Sequence, residues 1–598
     1  MITNESAKTT EKDMRLGNAS LIFSRLQPQP KRYENEKRVV ILLGSPVWRD
    51  KVDYETVRGR LLNEDITGFI REINGSFLFI VHDKYSGDLA IANDRFASIP
   101  LYYRLDGDLF TSATNYSDIW KRFSGLPNFK LNEEAFYEFL TMNRLFGDKT
   151  YDCSTCFLDS ASMLRYSPNT SKVVVDKYWR PDFKKSDISV NEAAFTLATL
   201  IKRSFNRATS DSKRYGLLLS GGLDSRAVLA ASDKTLTCFT TCEYENNEYK
   251  VAKELSRTKG YPHYFITKPA TYYSDIIDRA TYLSGMMSVY INAHFLNLKE
   301  AAEDKVDVLL HGYGFDFLFQ GKYLPTHSYP LVNRISYKRK LVPLDSDSKD
   351  DVAKFFVDKM SSRSKSFESI QLLKENKRQK VYDLLYAEIR NLIDEAAAFT
   401  DNPYDWWDYC YFHNISRHYT WLNLTSIRDF MEERTVAFDN DLFDFFWSLE
   451  PALRAESNMF VKTIKLLNPA LFAVRNANTN LSLDNSAPVE SAKLLLNKIL
   501  YKTHLNKVFT KSLPPPSTSA NDRSWPNNAD LIRSNENIRK ITSGLCKSSG
   551  LENLNFLDMD AVSSRIREHL DFKKEHTDLI LTLLTIDTFL SSNKRDLV

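Results

Sequence analysis

The sequence predicts an α/β protein of two domains, the first rich in strands and the second built on a parallel sheet with a helical extension. Three observations carry this. Short apolar segments separated by turns crowd the first third of the chain, and from Val190 onward strands and helices alternate. A glycine loop, Ser220-Gly221-Gly222-Leu223-Asp224-Ser225, falls between a strand and a helix. At 598 residues the chain is also too long for one ordinary core.

The elements follow in order. Residues 1–37 read as a tail with one strand at 20–23. Apolar runs over 39–43, 76–81, 89–92 and 101–104, closed by turns at Lys84-Tyr85-Ser86-Gly87 and Asp106-Gly107, mark the strands of a domain at 38–185. Asn191 is placed as the N-cap of a helix running to Ala208, which opens a second domain at 190–598. Strands over 215–219, 236–241, 264–266 and 306–310 alternate with helices that include 226–231 and 247–259, the signature of a parallel sheet. Beyond 351 the chain reads as mostly helical and aromatic, 511–528 as a proline-rich surface loop, and 560–592 as helix again.

Composition excludes several classes. Eighty basic against 77 acidic side chains leave a net charge of +3, so neither a polyanion partner nor a nucleic-acid groove is expected. The apolar runs are too short to cross a bilayer and residues 1–13 hold no signal-like core, so a cytoplasmic protein without a membrane partner is expected. Cys153 and Cys156 form a CxxC with no second ligand pair at zinc spacing and read as plain thiols.

The glycine loop points to phosphate. Gly221 and Gly222 let the backbone turn tightly and bring its N–H groups to an anion, and the following helix aims its positive end at the same place. Ser220 and Ser225 can donate hydroxyl hydrogen bonds. Asp224 would repel a bare phosphate, which implies an Mg²⁺ ion between them. The Gly-x-x-x-x-Gly-Lys spacing of a Walker loop is absent.

SGGLDSR at 220–226 resembles the PP-loop of the ATP pyrophosphatases, and its surroundings resemble the asparagine synthetase family. His311-Gly312-Tyr313-Gly314-Phe315-Asp316-Phe317-Leu318-Phe319-Gln320-Gly321 is similar to that family's second motif, GEGSDE-(I/V)-FGG, and Glu432 to Asp439 to its E-x-R-x-PF-x-D segment. Ile73-Asn74-Gly75-Ser76-Phe77 and Ala92-Asn93-Asp94-Arg95 resemble the family's glutaminase half. The resemblance implies an Ntn-hydrolase-like α-β-β-α sandwich followed by a PP-loop domain of the adenine nucleotide alpha hydrolase type. It also implies ATP and Mg²⁺, with Asp224 and Asp316 as metal ligands and Ser220, Gly221, Gly222, Asp224, Ser225, Arg226, Gly312 and Gly314 around the ATP phosphates. The implied activity adenylates a small-molecule or peptide carboxylate, releases pyrophosphate, and forms an amide with ammonia or an amine.

The chain departs from the family at three points. Glutaminases of this type use an N-terminal cysteine, whereas Met1 is followed by Ile2 and no cysteine precedes Cys153, so glutamine hydrolysis is not expected and Asn74-Gly75 becomes a structural turn. Tyr313 replaces a Glu. In the related β-lactam and carbapenam synthetases such a Tyr works with a carboxylate as base, here Glu432 or, less readily, Glu433; the bland alternative is an aromatic lining the pocket floor. The family's R-x-K segment reads Arg475-Asn476-Ala477, so either Arg226, Lys322, Arg475 or Lys493 replaces the lysine or the chemistry has drifted from the family's. Intramolecular amide formation, as in lasso-peptide cyclases, and a non-catalytic ATP-binding scaffold are the competing readings.

Overall fold

The computed structural model describes residues 8–9, 13–24, 26–330, 336–364, 367–417, 421–478, 480–484, 489, 492, 496 and 527–595. Lys493 and residues 511–526 of the expected surface loop lie outside them.

The first domain has four layers. One sheet is centred on the strand Arg38–Trp48, flanked by Lys31–Glu34 on one side and by Asn74–Asp83, Leu89–Asn93, Ser162–Ser167 and Lys172–Lys177 on the other. The other sheet runs Cys156–Phe157, Tyr102–Asp106, Leu109–Ala113, Ala19–Ile22, Asp13–Leu16. Period-two alternation sorts the side chains of the central strand: Val39, Ile41 and Leu43 meet Leu21 and Phe110 between the sheets, while Val40 and Leu42 face outward under Val57 and Leu61 of the helix Tyr54–Asn63. Both faces are covered, so the strand reads as a continuous apolar run. Helices Tyr116–Phe123 and Glu133–Met142 pack over Tyr102 and Ala113 on the far side, completing an α-β-β-α sandwich.

The stretch read as a tail is corrected here. Asp13–Leu16, Ala19–Ile22 and Lys31–Glu34 are strands belonging to both sheets. Lys31–Glu34 is charged and only half-buried, and Asp13–Leu16 buries alternate residues, so neither carries a run of apolar residues.

In the second domain five strands, all parallel, lie in the order His263–Thr267, Thr237–Cys242, Tyr215–Leu218, Val308–His311, Glu432–Thr435. The chain winds outward from Tyr215–Leu218 in one direction, then returns to build the other side. The order therefore reverses between Tyr215–Leu218 and Val308–His311, and a crevice at the carboxyl ends of such a pair is where open α/β sheets bind ligands. The helix entering this domain is Val190–Ala208, and its cap is Ser189 rather than Asn191, through a capping box with Glu192. The terminal helical stretch is two helices, Met559–Leu570 and Thr577–Arg595. Among the described residues no helix is long and apolar enough to cross a membrane.

Candidate active site

The glycine loop leaves the carboxyl end of Tyr215–Leu218 and runs into the helix Asp224–Ala231. Its two serines shape it: their hydroxyls lie 2.9 Å apart, the Ser220 amide donates to Ser225 Oγ at 2.9 Å, and the Gly222 amide donates to Ser220 Oγ at 3.3 Å. The second motif leaves the carboxyl end of Val308–His311, directly alongside. A Cβ on Gly312 would come within 2.3 Å of the Ser225 nitrogen and 2.4 Å of the Asp224 carbonyl carbon. Gly314 has φ 106°, and a Cβ there would meet Ala437 at 2.9 Å.

This interlock brings Asp224 and Asp316 together. Burial, then the neighbouring Asp316, push the Asp224 carboxyl up from its ordinary range, while Lys322 and a hydrogen bond from the Gln320 amide pull it back. Two carboxylates forced together at low exposure fit a divalent cation, which would relieve their repulsion. No cluster of three or more His, Cys, Asp or Glu side chains able to hold a metal occurs among the described residues.

Arg226, expected at the phosphates, is turned instead onto backbone carbonyls. Fully buried, its guanidinium donates to the carbonyls of Val474 at 2.6 Å, Arg475 at 2.8 Å, and Leu471 and Gly221 at 3.3 Å. It straps the 471–477 segment onto the glycine loop. Ala477 closes the strap, its amide donating to the Gly221 carbonyl at 3.1 Å and its Cβ lying 2.3 Å from where a Gly221 Cβ would stand. Arg475 donates to the side-chain oxygens of Asn247 at 3.0 Å and Asn480 at 2.7 Å. Lys322, one residue beyond Gly321, is exposed and is the cation whose charge acts on Asp224.

The carboxylates of Glu432–Thr435 part company, because successive strand residues point to opposite faces. Glu432 turns to the first domain, accepting from Ser45 Oγ and Arg434 Nε at 2.6 and 2.7 Å and from Lys213. It is not the partner of Tyr313. Glu433 turns to the Tyr313 side. It accepts from His311 Nε2 at 2.6 Å, Thr435 Oγ1 at 2.6 Å and Arg428 at 2.6 and 3.0 Å. Burial would raise it, but Arg428, His311 and Thr435 hold it down to about 2. Tyr313 is half-buried among Phe317, Trp421 and Phe438, with ring centroids 5.4 to 6.2 Å away, and its amide donates to His311 Nδ1 at 3.0 Å. Glu433 thus reaches the Tyr313 backbone through His311. His311, Arg428 and Gln320 escaped the sequence reading; only the position of His311 and Gln320 inside the second motif signalled them.

In the first domain, Asn74 Nδ2 donates to Asp439 Oδ2 at 2.9 Å, its Oδ1 accepts from the Asn440 amide at 3.0 Å, and the Gly75 amide donates to that same oxygen at 2.7 Å. Within the pair that resembles an oxyanion hole, the Gly75 amide and one N–H of Asn74 Nδ2 are engaged within the protein. All six cysteines are free thiols.

The asparagine synthase family model matches residues 196–591, which is more than half of the chain. The chain belongs to the asparagine synthase family. A glutamine amidotransferase domain model matches residues 35–120 of this family member. A protein of Methanocaldococcus jannaschii, provisionally named asparagine synthetase [glutamine-hydrolyzing] 2, is 24% identical over 317 residues, covering 49% of this chain and 59% of that protein. The chain thus spans less than two thirds of that relative's length. Among solved structures, an allosteric regulatory enzyme of purine biosynthesis matches at 10% identity and TM-score 0.18, covering 50% of this chain and 58% of that one. The glutamine phosphoribosylpyrophosphate amidotransferase from B. subtilis matches at 11% identity and TM-score 0.15, covering 40% and 48%.

Proposed function

We propose that this asparagine synthase family member is an ATP-dependent carbon–nitrogen ligase that adenylates a carboxylate, releases pyrophosphate, and forms an amide with ammonia or an amine. The observation that carries the reading is the Gly312–Ser225 interlock, which sets Asp224 and Asp316 side by side at the switch point of the parallel sheet. Mg²⁺ bound by those carboxylates would supply charge neutralisation for the phosphates.

The chain's own groups divide the remaining work. The Gly221 and Gly222 backbone and the start of Asp224–Ala231 bind the leaving pyrophosphate, with Ser220 and Ser225 fixing the loop's curvature. Among the described residues Lys322 is the candidate for the role of the missing lysine, since Arg226 is committed to carbonyls and Arg475 to amide oxygens, while Lys493 lies outside them. Tyr313 lies beside this site and faces the incoming nitrogen. This chain does not itself hydrolyse glutamine in this reading, which is supported by the engagement of Asn74 with Asp439 and of the Gly75 amide with Asn74.

The test is pyrophosphate release from Mg-ATP across a panel of acids with ammonia or simple amines. Wild type should release pyrophosphate with at least one acid, and Asp224→Ala and Asp316→Ala should fall to background. Equal release by wild type and Asp224→Ala removes the ligase reading.

A further inference from the structure

The loop carrying Tyr313 is tied to the first domain by two independent routes that start in one turn, Asp94 to Ser98. The polar route begins at the Ser98 carbonyl, which accepts from Arg428. Arg428 donates twice to Glu433 Oε2, Glu433 Oε1 accepts from His311 Nε2 at 2.6 Å, and His311 Nδ1 accepts the Tyr313 amide at 3.0 Å. The aromatic route begins at Phe96, which stacks on Phe438 at 4.6 Å, and Phe438 meets the Tyr313 ring edge-on at 6.0 Å. The turn itself is internally bonded: buried Asp94 accepts from the amides of Phe77, Phe96 and Ser98 at 2.9 to 3.3 Å.

The hydrogen bonds fix the chemistry of His311. A ring nitrogen that accepts an amide N–H carries no proton, so Nδ1 is bare and Nε2 holds the hydrogen given to Glu433. With both nitrogens committed, His311 is a strut and not a base.

We propose that His311 and Arg428 are positioning residues that hold the Tyr313 loop against the nucleotide crevice. The Asp94–Ser98 turn, which resembles part of a glutaminase, then serves as the seat of that loop. The proposal rests on the reading that Tyr313 borders the site of amide formation, but the holding itself can be measured without substrate.

Amide hydrogen exchange on the ligand-free full chain tests it, read in peptides covering 310–316 and, as a control, the distant helix Thr577–Arg595. His311→Ala should speed exchange at 312–314 at least tenfold and leave the control unchanged. Arg428→Gln should do the same by a smaller factor, with Arg428→Lys as the milder change should the Gln variant not fold. His311→Asn, whose Oδ1 can stand where Nδ1 stood, should restore most of the protection. Unchanged exchange at 312–314 in His311→Ala, or a rise there matched by the control helix, overturns the proposal. Mg-ATP binding, followed on the same samples, reports on Asp224 and Asp316, so a failed ligase reading and a failed positioning reading give different results.

Discussion

Gly312 is packed so tightly on Ser225 that a methyl group there would sit 2.3 Å from the Ser225 amide nitrogen. The two motifs that resemble the family's phosphate loop and its acidic partner are one structure, fitted together backbone to backbone. Gly312→Ala should wedge them apart, at about 1–3 kcal/mol of overpacking. Affinity for Mg-ATP should fall at least tenfold by calorimetry. A variant that binds Mg-ATP like wild type would show the interlock is not needed.

Arg226 lies within the sequence motif yet acts as a strap. Replacing it with Met fills the space but leaves buried carbonyls of Leu471, Val474, Gly221 and Arg475 without that donor. Gly221 and Leu471 keep the amides of Ala477 and Val474, so the loss falls on the Val474 and Arg475 carbonyls, and we expect about 2 kcal/mol or more in urea unfolding, since each buried acceptor left unpaired costs about 1–3 kcal/mol. Arg226→Lys, with a single charged head in place of the fork, should recover only part of this. Proteolysis near 471–477 should quicken in parallel. A phosphate-binding Arg226 would instead give a stable protein with weak ATP affinity.

Asn74 predicts a different outcome from the one a glutaminase would give. Asn74→Ala breaks the link to Asp439 and Asn440 and should destabilise the chain by about 1–3 kcal/mol. Asn74→Asp should be worse, because it sets a second carboxylate against Asp439, already buried and paired with Arg207. Urea midpoints check both. Glutamate release from glutamine should be absent in wild type and variants alike; release that disappears in Asn74→Ala would reverse the reading.

The sequence carried the alternation of strand and helix, and with it the placement of both glycine motifs at strand ends, because those signals are local: a strand, two glycines and a helix within a dozen residues. It could not separate Glu432 from Glu433. Adjacent carboxylates on one short strand differ only in face, and the face depends on neighbours 387 residues away in the case of Ser45 and 122 away in the case of His311. The bonds of Arg226 are hidden for a related reason, since three of its four acceptors are carbonyls 245 to 249 residues downstream and carry no residue-type signature. The strands Asp13–Leu16 and Lys31–Glu34 carry no apolar run: Asp13–Leu16 is an edge strand that buries only alternate residues, and Lys31–Glu34, paired on both sides, is charged and only half-buried.

Glu433 makes stability depend on acid in a defined window. Its folded pKa of about 2 lies below the roughly 4.3 of an unfolded glutamate, so the unfolded chain binds the proton more readily. The stabilisation is therefore complete above about pH 4.3 and is lost as pH falls toward 2. The gap corresponds to about 3 kcal/mol. Glu433→Gln should remove that component of the acid dependence, flattening the slope of unfolding free energy between pH 4.5 and about 2 while lowering stability at neutral pH, where Arg428 loses its counter-charge. Glu432→Gln should act otherwise, weakening the contact with Ser45 and Lys213 and leaving the 312–314 amides protected. Urea unfolding at stepped pH separates the two. Parallel slopes for wild type and Glu433→Gln would mean that the Glu433–Arg428 pair does not form in solution.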